Sequence, residues 1–160
     1  MKPRVLIVDD DEAIRTQTKW ALNQDYDVCL AEDRRGALDV FAATPPAVTL
    51  LDLGLPPRPN GSDEGLAILS DILAMDNTAK IIVISGQSEK RNAIEAVGAG
   101  AYDFLCKPVE MDELKLVLRR CINVLDLERG YRQLQQNRQR AERPRRSQSG
   151  HGIVPKGVGD

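Results

Sequence analysis

Short apolar runs alternate with amphipathic stretches along this chain. Arg4–Val8 (RVLIV) is a continuous apolar run bounded by acids, as expected of a strand covered on both faces. Residues 12–23 follow with Ile14, Trp20, Ala21 and Leu22 at loose helical spacing. DVCLA (27–31) reads as a second strand, and 34–43 as a helix with Ala37, Leu38 and Phe41 inward, stopped by Pro45-Pro46. AVTLL (47–51) predicts a third strand ending at Asp52. The breaker-rich GLPPRPNGSDEG (54–65) predicts a loop, and a helix over 65–75 turns Leu66, Leu69, Ile72 and Leu73 to one side. KIIVIS (80–85) predicts a fourth strand. Ser88 then fits an N-cap for a helix over 89–97, closed by Gly98 and Gly100. Tyr102 to Leu105 makes a short fifth strand, and a long helix starts at Glu110 with Leu114, Leu118, Cys121, Ile122 and Leu125 facing the body. Strands alternating with helices predict an α/β fold, a doubly wound five-stranded parallel sheet with an extended C-terminal helix.

The pattern changes beyond Leu125. Val124, Leu127, Tyr131 and Leu134 recur at the spacing of a short coiled-coil seam, which predicts a partner for an exit helix over 123–142. Residues 143–160, rich in Arg, Gly, Ser and Pro, read as a disordered tail. Charge divides the same way. Residues 1–118 hold 12 basic and 20 acidic side chains, whereas 119–146 hold nine arginines and three acids, so the formal net charge of -2 conceals an acidic body and a basic appendage. The Arg-rich stretch lacks interleaved aromatics or a helix-turn-helix pattern, so no direct DNA binding is expected. No apolar run reaches the ~20 residues of a membrane helix, and acids follow the first apolar run too soon for a signal peptide. Cys29, Cys106 and Cys121 are odd in number and lack a CxxC pattern, and His151 stands alone. Reduced thiols, a cytoplasmic location and no zinc site are the expectations.

Candidate chemistry gathers at the strand ends, where parallel sheets bind ligands. Asp9, Asp10 and Asp11 follow strand one, Asp52 ends strand three, Ser85 ends strand four, and Lys107-Pro108 follows strand five. Clustered carboxylates repel unless a cation neutralises them, and oxygen donors without His or Cys favour a hard ion such as Mg²⁺. A Lys and a Ser hydroxyl opposite are donors for a phosphoryl oxygen, and a central carboxylate can be the nucleophile. The set describes metal-assisted phosphoryl transfer to an aspartate. Asp11 alone reads as a helix cap, and three acids after strand one disfavour the flavodoxin-like flavin or nucleotide binder that would need a Gly- or Ser/Thr-rich loop there.

VLIVDDDE, LLDLGLP, VISGQ and GAYDFLCKP, in this order, resemble the receiver domain of two-component response regulators, over about residues 4–122. The resemblance implies a flavodoxin-like strand order of 2-1-3-4-5 and a receiver domain over 1–122. It implies Asp52 as phosphoacceptor, Asp9, Asp10, Asp52 and the Gly54 carbonyl as Mg²⁺ ligands, and Ser85 and Lys107 as phosphoryl-binding groups. Phe104 matches the switch aromatic, and Pro108 a proline preceded by a cis peptide. The implied function is a phosphorylation switch. A histidine kinase or small acyl phosphate is the donor, and the face of the fourth helix, fifth strand and fifth helix is repacked. Together with the Val124–Leu134 seam, this leads to the expectation of a homodimer through that face and the exit helix. Its only catalysis would be phosphoryl transfer to, and hydrolysis from, Asp52. A degenerate receiver serving as a phosphorylation-independent scaffold is the alternative. The loop over 56–64 is longer than the family pattern. With the long fifth helix, it makes the chain similar to receivers of enhancer-binding AAA+ regulators, and among these to the type linked to PEP-CTERM protein sorting.

Overall fold

The computed structural model describes residues 1–55 and 63–142. Five parallel strands, β1 (Arg4–Val8), β2 (Asp27–Ala31), β3 (Val48–Asp52), β4 (Lys80–Ser85) and β5 (Asp103–Cys106), form one sheet in the order β2-β1-β3-β4-β5. Helices α1 (Glu12–Leu22), α2 (Arg34–Ala43), α3 (Asp63–Met75), α4 (Lys90–Gly98) and α5 (Met111–Glu142) connect and follow them. The α/β fold and its strand order are those expected from the sequence.

Two cores explain why the strands read as unbroken apolar runs. Alternate residues point to opposite faces, and both faces are covered. Leu6, Val8, Leu51 and Val83 pack with Ala37 and Phe41 of α2, Ile68, Leu69 and Ile72 of α3, and Ala93 and Ala96 of α4. Val5, Ile7, Leu50, Ile82 and Leu105 pack on the other face with Leu22 of α1 and Leu114, Val117, Leu118 and Cys121 of α5. Ile68 and Val117 are core residues that the helical periodicity passed over. Trp20 and Ile14 lie at the surface, at 74% and 38% exposure.

Several boundaries differ from expectation. Ser88 does not cap α4: Gln87–Glu89 forms a single 3-10 turn closed by Glu89 N–H donating to the Gly86 carbonyl, and α4 starts at Lys90. Ser88 is thus inside a turn of the wrong pitch to cap the next helix. α3 begins at Asp63, two residues early, because Asp63 and Glu64 suit the positive end of a helix. β5 is shifted one residue, since its ladder with β4 opens at Ile82 opposite Asp103. Gly100, with φ at +125°, ends the α4 connection in the left-handed region and packs against Leu73.

The described residues divide into two units, one within 1–125 and the other over 126–142. Over 126–142 the helix is polar, with Glu128–Arg132 and Arg138–Glu142 pairs one turn apart. Leu127, Tyr131 and Leu134 are 74%, 63% and 69% exposed, so the seam has no partner within the described chain. The expectations for the 56–64 loop (over 56–62) and for the 143–160 tail fall outside the described residues.

Candidate phosphoacceptor site

The carboxyl ends of β1 and β3 set three acids side by side, because these strands are hydrogen-bonded neighbours. Carboxylate oxygens of Asp9, Asp10 and Asp52 lie within 4.8 Å of one another. Asp9 and Asp52 are 4% and 3% exposed, while Asp10 faces solvent. Each buried acid is tied to the backbone. Asp9 Oδ1 accepts from the Asp11 N–H at 2.9 Å, and Asp52 Oδ1 from the Gly54 N–H at 3.1 Å. Asp11 itself caps α1, its Oδ1 accepting from Ala13 and Ile14 N–H groups, as its place in the sequence suggested.

Lys107 comes from the far edge strand. The Lys107-Pro108 peptide is cis, as the family resemblance implied, and Lys107 Nζ donates to Asp52 Oδ2 at 3.2 Å. The Lys107 backbone N–H donates to the Ser85 carbonyl at 2.8 Å, joining the ends of β4 and β5. Ser85 is fully buried, and its Oγ has no hydrogen-bond partner among the described residues. A buried hydroxyl in that state calls for a partner that the described residues do not supply. Phe104 is half-buried against the core beneath α2, α3 and α4, on the strand beside Ser85. Tyr102 packs against the opposite core.

The electrostatics suit a cation. Burial pushes the Asp9 carboxyl up to about 6 from its ordinary 3.8, and the Asp52 and Asp10 charges push the same way, while the Asp11 N–H and Lys107 oppose them. The folded state therefore holds this proton more tightly than the unfolded chain does. The stability that proton confers is present below about pH 4 and is lost as pH rises through about 6. Asp9→Asn, which keeps the acceptor for Asp11, is expected to stabilise the metal-free protein by roughly 1–3 kcal/mol near neutral pH and by little near pH 4. Urea denaturation at both pH values checks this. An equal gain at both would show that charge burial is not the cause.

The structure thus brings Asp9, Asp10, Asp52, Gly54 and Lys107 into one cluster, with Ser85 at the adjoining end of β4 and Phe104 within β5, two residues before its carboxyl end. Sequence reasoning passed over Arg15, whose side chain is 13% exposed and whose Nη1 donates to the Asp9 carbonyl at 2.7 Å. A cation so near a helix N-terminus opposes the helix dipole, and that signal could have singled it out.

Comparison with known proteins agrees with the geometry. The model of the response regulator receiver domain matches residues 5–119. Regulatory protein AtoC of Escherichia coli (strain K12) is 31% identical over 135 residues, covering 83% of this chain and 28% of AtoC. Transcriptional regulatory protein KdpE of Staphylococcus aureus (strain NCTC 8325 / PS 47) is 37% identical over 120 residues, covering 74% of this chain and 49% of KdpE. A crystal structure of NtrX from Brucella abortus superposes with a TM-score of 0.76 at 30% identity, covering 84% of this chain and 30% of NtrX. The chain therefore spans about half or less of each of these relatives. With its family match, its strand order and its acid-lysine cluster, the chain belongs to the response regulator receiver domains of two-component systems.

Proposed function

We propose that Asp52 accepts a phosphoryl group from a histidine kinase or a small acyl phosphate, and that this switches association with a partner. The observation that carries the reading is the placement of Lys107 Nζ 3.2 Å from an Asp52 oxygen, on the carboxylate that closes the Asp9–Asp10–Asp52 cluster. The cluster fits Mg²⁺: its donors are all hard oxygens, two of its three acids are buried, and burial with the neighbouring acids disfavours the Asp9 charge, which a cation would offset. Asp9, Asp10, Asp52 and the Gly54 carbonyl would hold the ion. Its chemistry there is to neutralise the carboxylates and the incoming phosphoryl oxygens.

In the transfer, a carboxylate oxygen of Asp52 attacks phosphorus. The bond from phosphorus to the donor's nitrogen or acyl oxygen breaks, and its electron pair leaves with the donor. Lys107 follows the added charge from carboxylate to phosphoryl oxygen, and the Ser85 hydroxyl turns to donate to another. Hydrolysis reverses the state, with water attacking phosphorus and Asp52 leaving as a carboxylate. As Ser85 moves toward the phosphoryl group, Phe104 packs more deeply beside it. The surface of α4, β5 and α5 then changes shape. This chemistry acts on the protein's own side chain, so the chain is a switch and not an enzyme with a turned-over substrate.

Incubation with acetyl phosphate and Mg²⁺ tests the reading. Intact-mass spectrometry should find one added phosphoryl group, removable by hydroxylamine as an acyl phosphate is. An unmodified mass under conditions that label a control receiver would overturn it. The scaffold alternative requires a gap in the acid, hydroxyl and lysine set, and none of Asp9, Asp10, Asp52, Ser85 or Lys107 is replaced.

Ser85→Ala gives a second check with opposite signs in the two states. Removing an unpartnered buried hydroxyl is expected to stabilise the unmodified protein by about 1 kcal/mol. The same change should weaken binding of beryllofluoride, which stands in for the phosphoryl group. Loss of stability together with unaltered beryllofluoride binding would assign Ser85 a purely structural role.

Association is proposed to use two surfaces. Ile94 and Val97 of α4 and Leu116 of α5 are 56%, 37% and 54% exposed, and Leu127, Tyr131 and Leu134 form the separate seam of the exit helix. A homodimer strengthened by beryllofluoride is expected in light scattering, and a monomer in both conditions would refute it. No described helix is long and apolar enough to cross a membrane.

A further inference from the structure

We propose that Arg15 is the positioning residue that shapes the acidic loop for its metal, a role that rests on the Mg²⁺ reading above. Asp9 is the first residue past β1. Its N–H still finds a ladder partner, donating to the Ala31 carbonyl at 3.1 Å. Its carbonyl lies past the strand end, and Arg15 Nη1 donates to it at 2.7 Å. That carbonyl belongs to the peptide unit joining Asp9 to Asp10, the two neighbouring acids of the cluster. Holding its oxygen fixes the plane of that peptide, and so the directions in which both carboxylates leave the backbone.

The contact closes a circuit. Asp9 Oδ1 accepts from the Asp11 N–H at 2.9 Å, Asp11 Oδ1 accepts from the Ala13 and Ile14 N–H groups at 2.9 and 3.2 Å, and the Arg15 N–H donates to the Asp11 carbonyl at 3.0 Å. The Arg15 guanidinium then returns to Asp9. The first turn of α1 thereby grips the loop at both of its ends, with the exposed Asp10 held between. The other acid near Arg15 is Glu32, 3.9 Å away and 70% exposed, a separation too long and too solvated to compete for the guanidinium. With its side chain 13% exposed, Arg15 is committed to the loop and not to solvent.

Two effects of this residue have opposite signs, which makes the inference decidable. As a positive charge near the cluster, Arg15 opposes a divalent cation, and its removal would tighten Mg²⁺ binding. As a clamp on the peptide between two ligands, it pre-organises them, and its removal weakens binding. Outer groups that orient metal ligands are typically worth 10–100-fold in affinity. The clamp is the dominant role because the guanidinium contacts the backbone carbonyl directly and ion-pairs with none of the three acids.

Isothermal titration calorimetry of the full chain with Mg²⁺ provides the test. Arg15→Met is expected to raise the dissociation constant about tenfold. Arg15→Gln, which keeps an N–H donor without the charge, should recover most of that loss. Metal-free urea midpoints taken alongside separate the metal effect from general loosening of α1. Unchanged or tighter binding by Arg15→Met would overturn the proposal, as would a Gln variant no better than Met. If Met does not fold, Arg15→Lys and Arg15→Gln carry the same comparison. Failure of the unsubstituted protein to bind Mg²⁺ would instead remove the metal reading, and this inference with it.

Discussion

Asp52→Asn is expected to abolish labelling by acetyl phosphate, lowering the initial rate by ~100-fold or more while leaving the protein folded. The amide matches the carboxylate in size, so the 3%-exposed position neither opens a cavity nor becomes overpacked. The Asn oxygen still accepts from the Gly54 N–H that now meets Asp52 Oδ1 at 3.1 Å. What disappears is the nucleophile: an amide oxygen has no full negative charge to offer phosphorus. Lys107 loses its partner but is 37% exposed and can be hydrated. A buried negative charge is also removed from beside Asp9, so the loss of labelling should not be accompanied by a loss of stability. Intact-mass spectrometry over time, with denaturation curves of both proteins, reads the two quantities. Labelling of the variant at the parent rate would place the acceptor elsewhere and dissolve the role assigned to the cluster.

Gly65→Ala should cost about 3 kcal/mol or more, a fall in melting temperature on the order of 10 °C. The reason is backbone contact. A Cβ built at Gly65 would stand 2.5 Å from the Leu53 Cα, 2.8 Å from its carbonyl oxygen and 2.9 Å from its Cδ2. A flexible side chain could move aside, but a Cα and carbonyl in the buried strand exit cannot do so cheaply. Leu53 is fully buried, and its N–H donates to the Ile84 carbonyl at 3.0 Å. It also immediately follows Asp52, so the displacement would reach the phosphoacceptor. Slower labelling is therefore expected even at temperatures where the variant is folded. A melting temperature within a degree or two of the parent would mean that α3 can slide away from β3, and that this close approach is not required.

The relation between these predictions and the primary structure is uneven. Asp52 was legible because it terminates an apolar run, and in a parallel sheet the residue after such a run stands at the ligand-binding edge. The same logic exposed Asp9, Asp10, Ser85 and Lys107. Helices α2 and α3 were legible through their apolar spacing, although α3 starts two residues before the expected turn. The start of α4 was not legible, since a Ser followed by polar residues fits a cap, and the choice between a 3-10 turn and an α-helical turn depends on how Gln87–Glu89 sits at the sheet edge. Val117 was missed because α5 covers the sheet with a broader face than the spacing of its leucines suggested.

What the sequence determined by itself was the alternation of strands and helices and the chemical kinds of group at the strand ends. Both follow from local pattern: side-chain period, strand length and the residue that interrupts each apolar run. Tertiary structure decided everything that depends on distance between remote residues. Strand order brought Lys107 to Asp52 across 55 residues of sequence. Burial gave Asp9 its high proton affinity, through the exclusion of water and the neighbouring acids. Close approach of α3 to the end of β3 made Gly65 obligatory, and the return of α1 onto β1 turned Arg15 from a surface-seeming charge into a clamp. Proton affinity, reach and clearance are properties of a surrounding, and the surrounding exists only once the strands have chosen their neighbours.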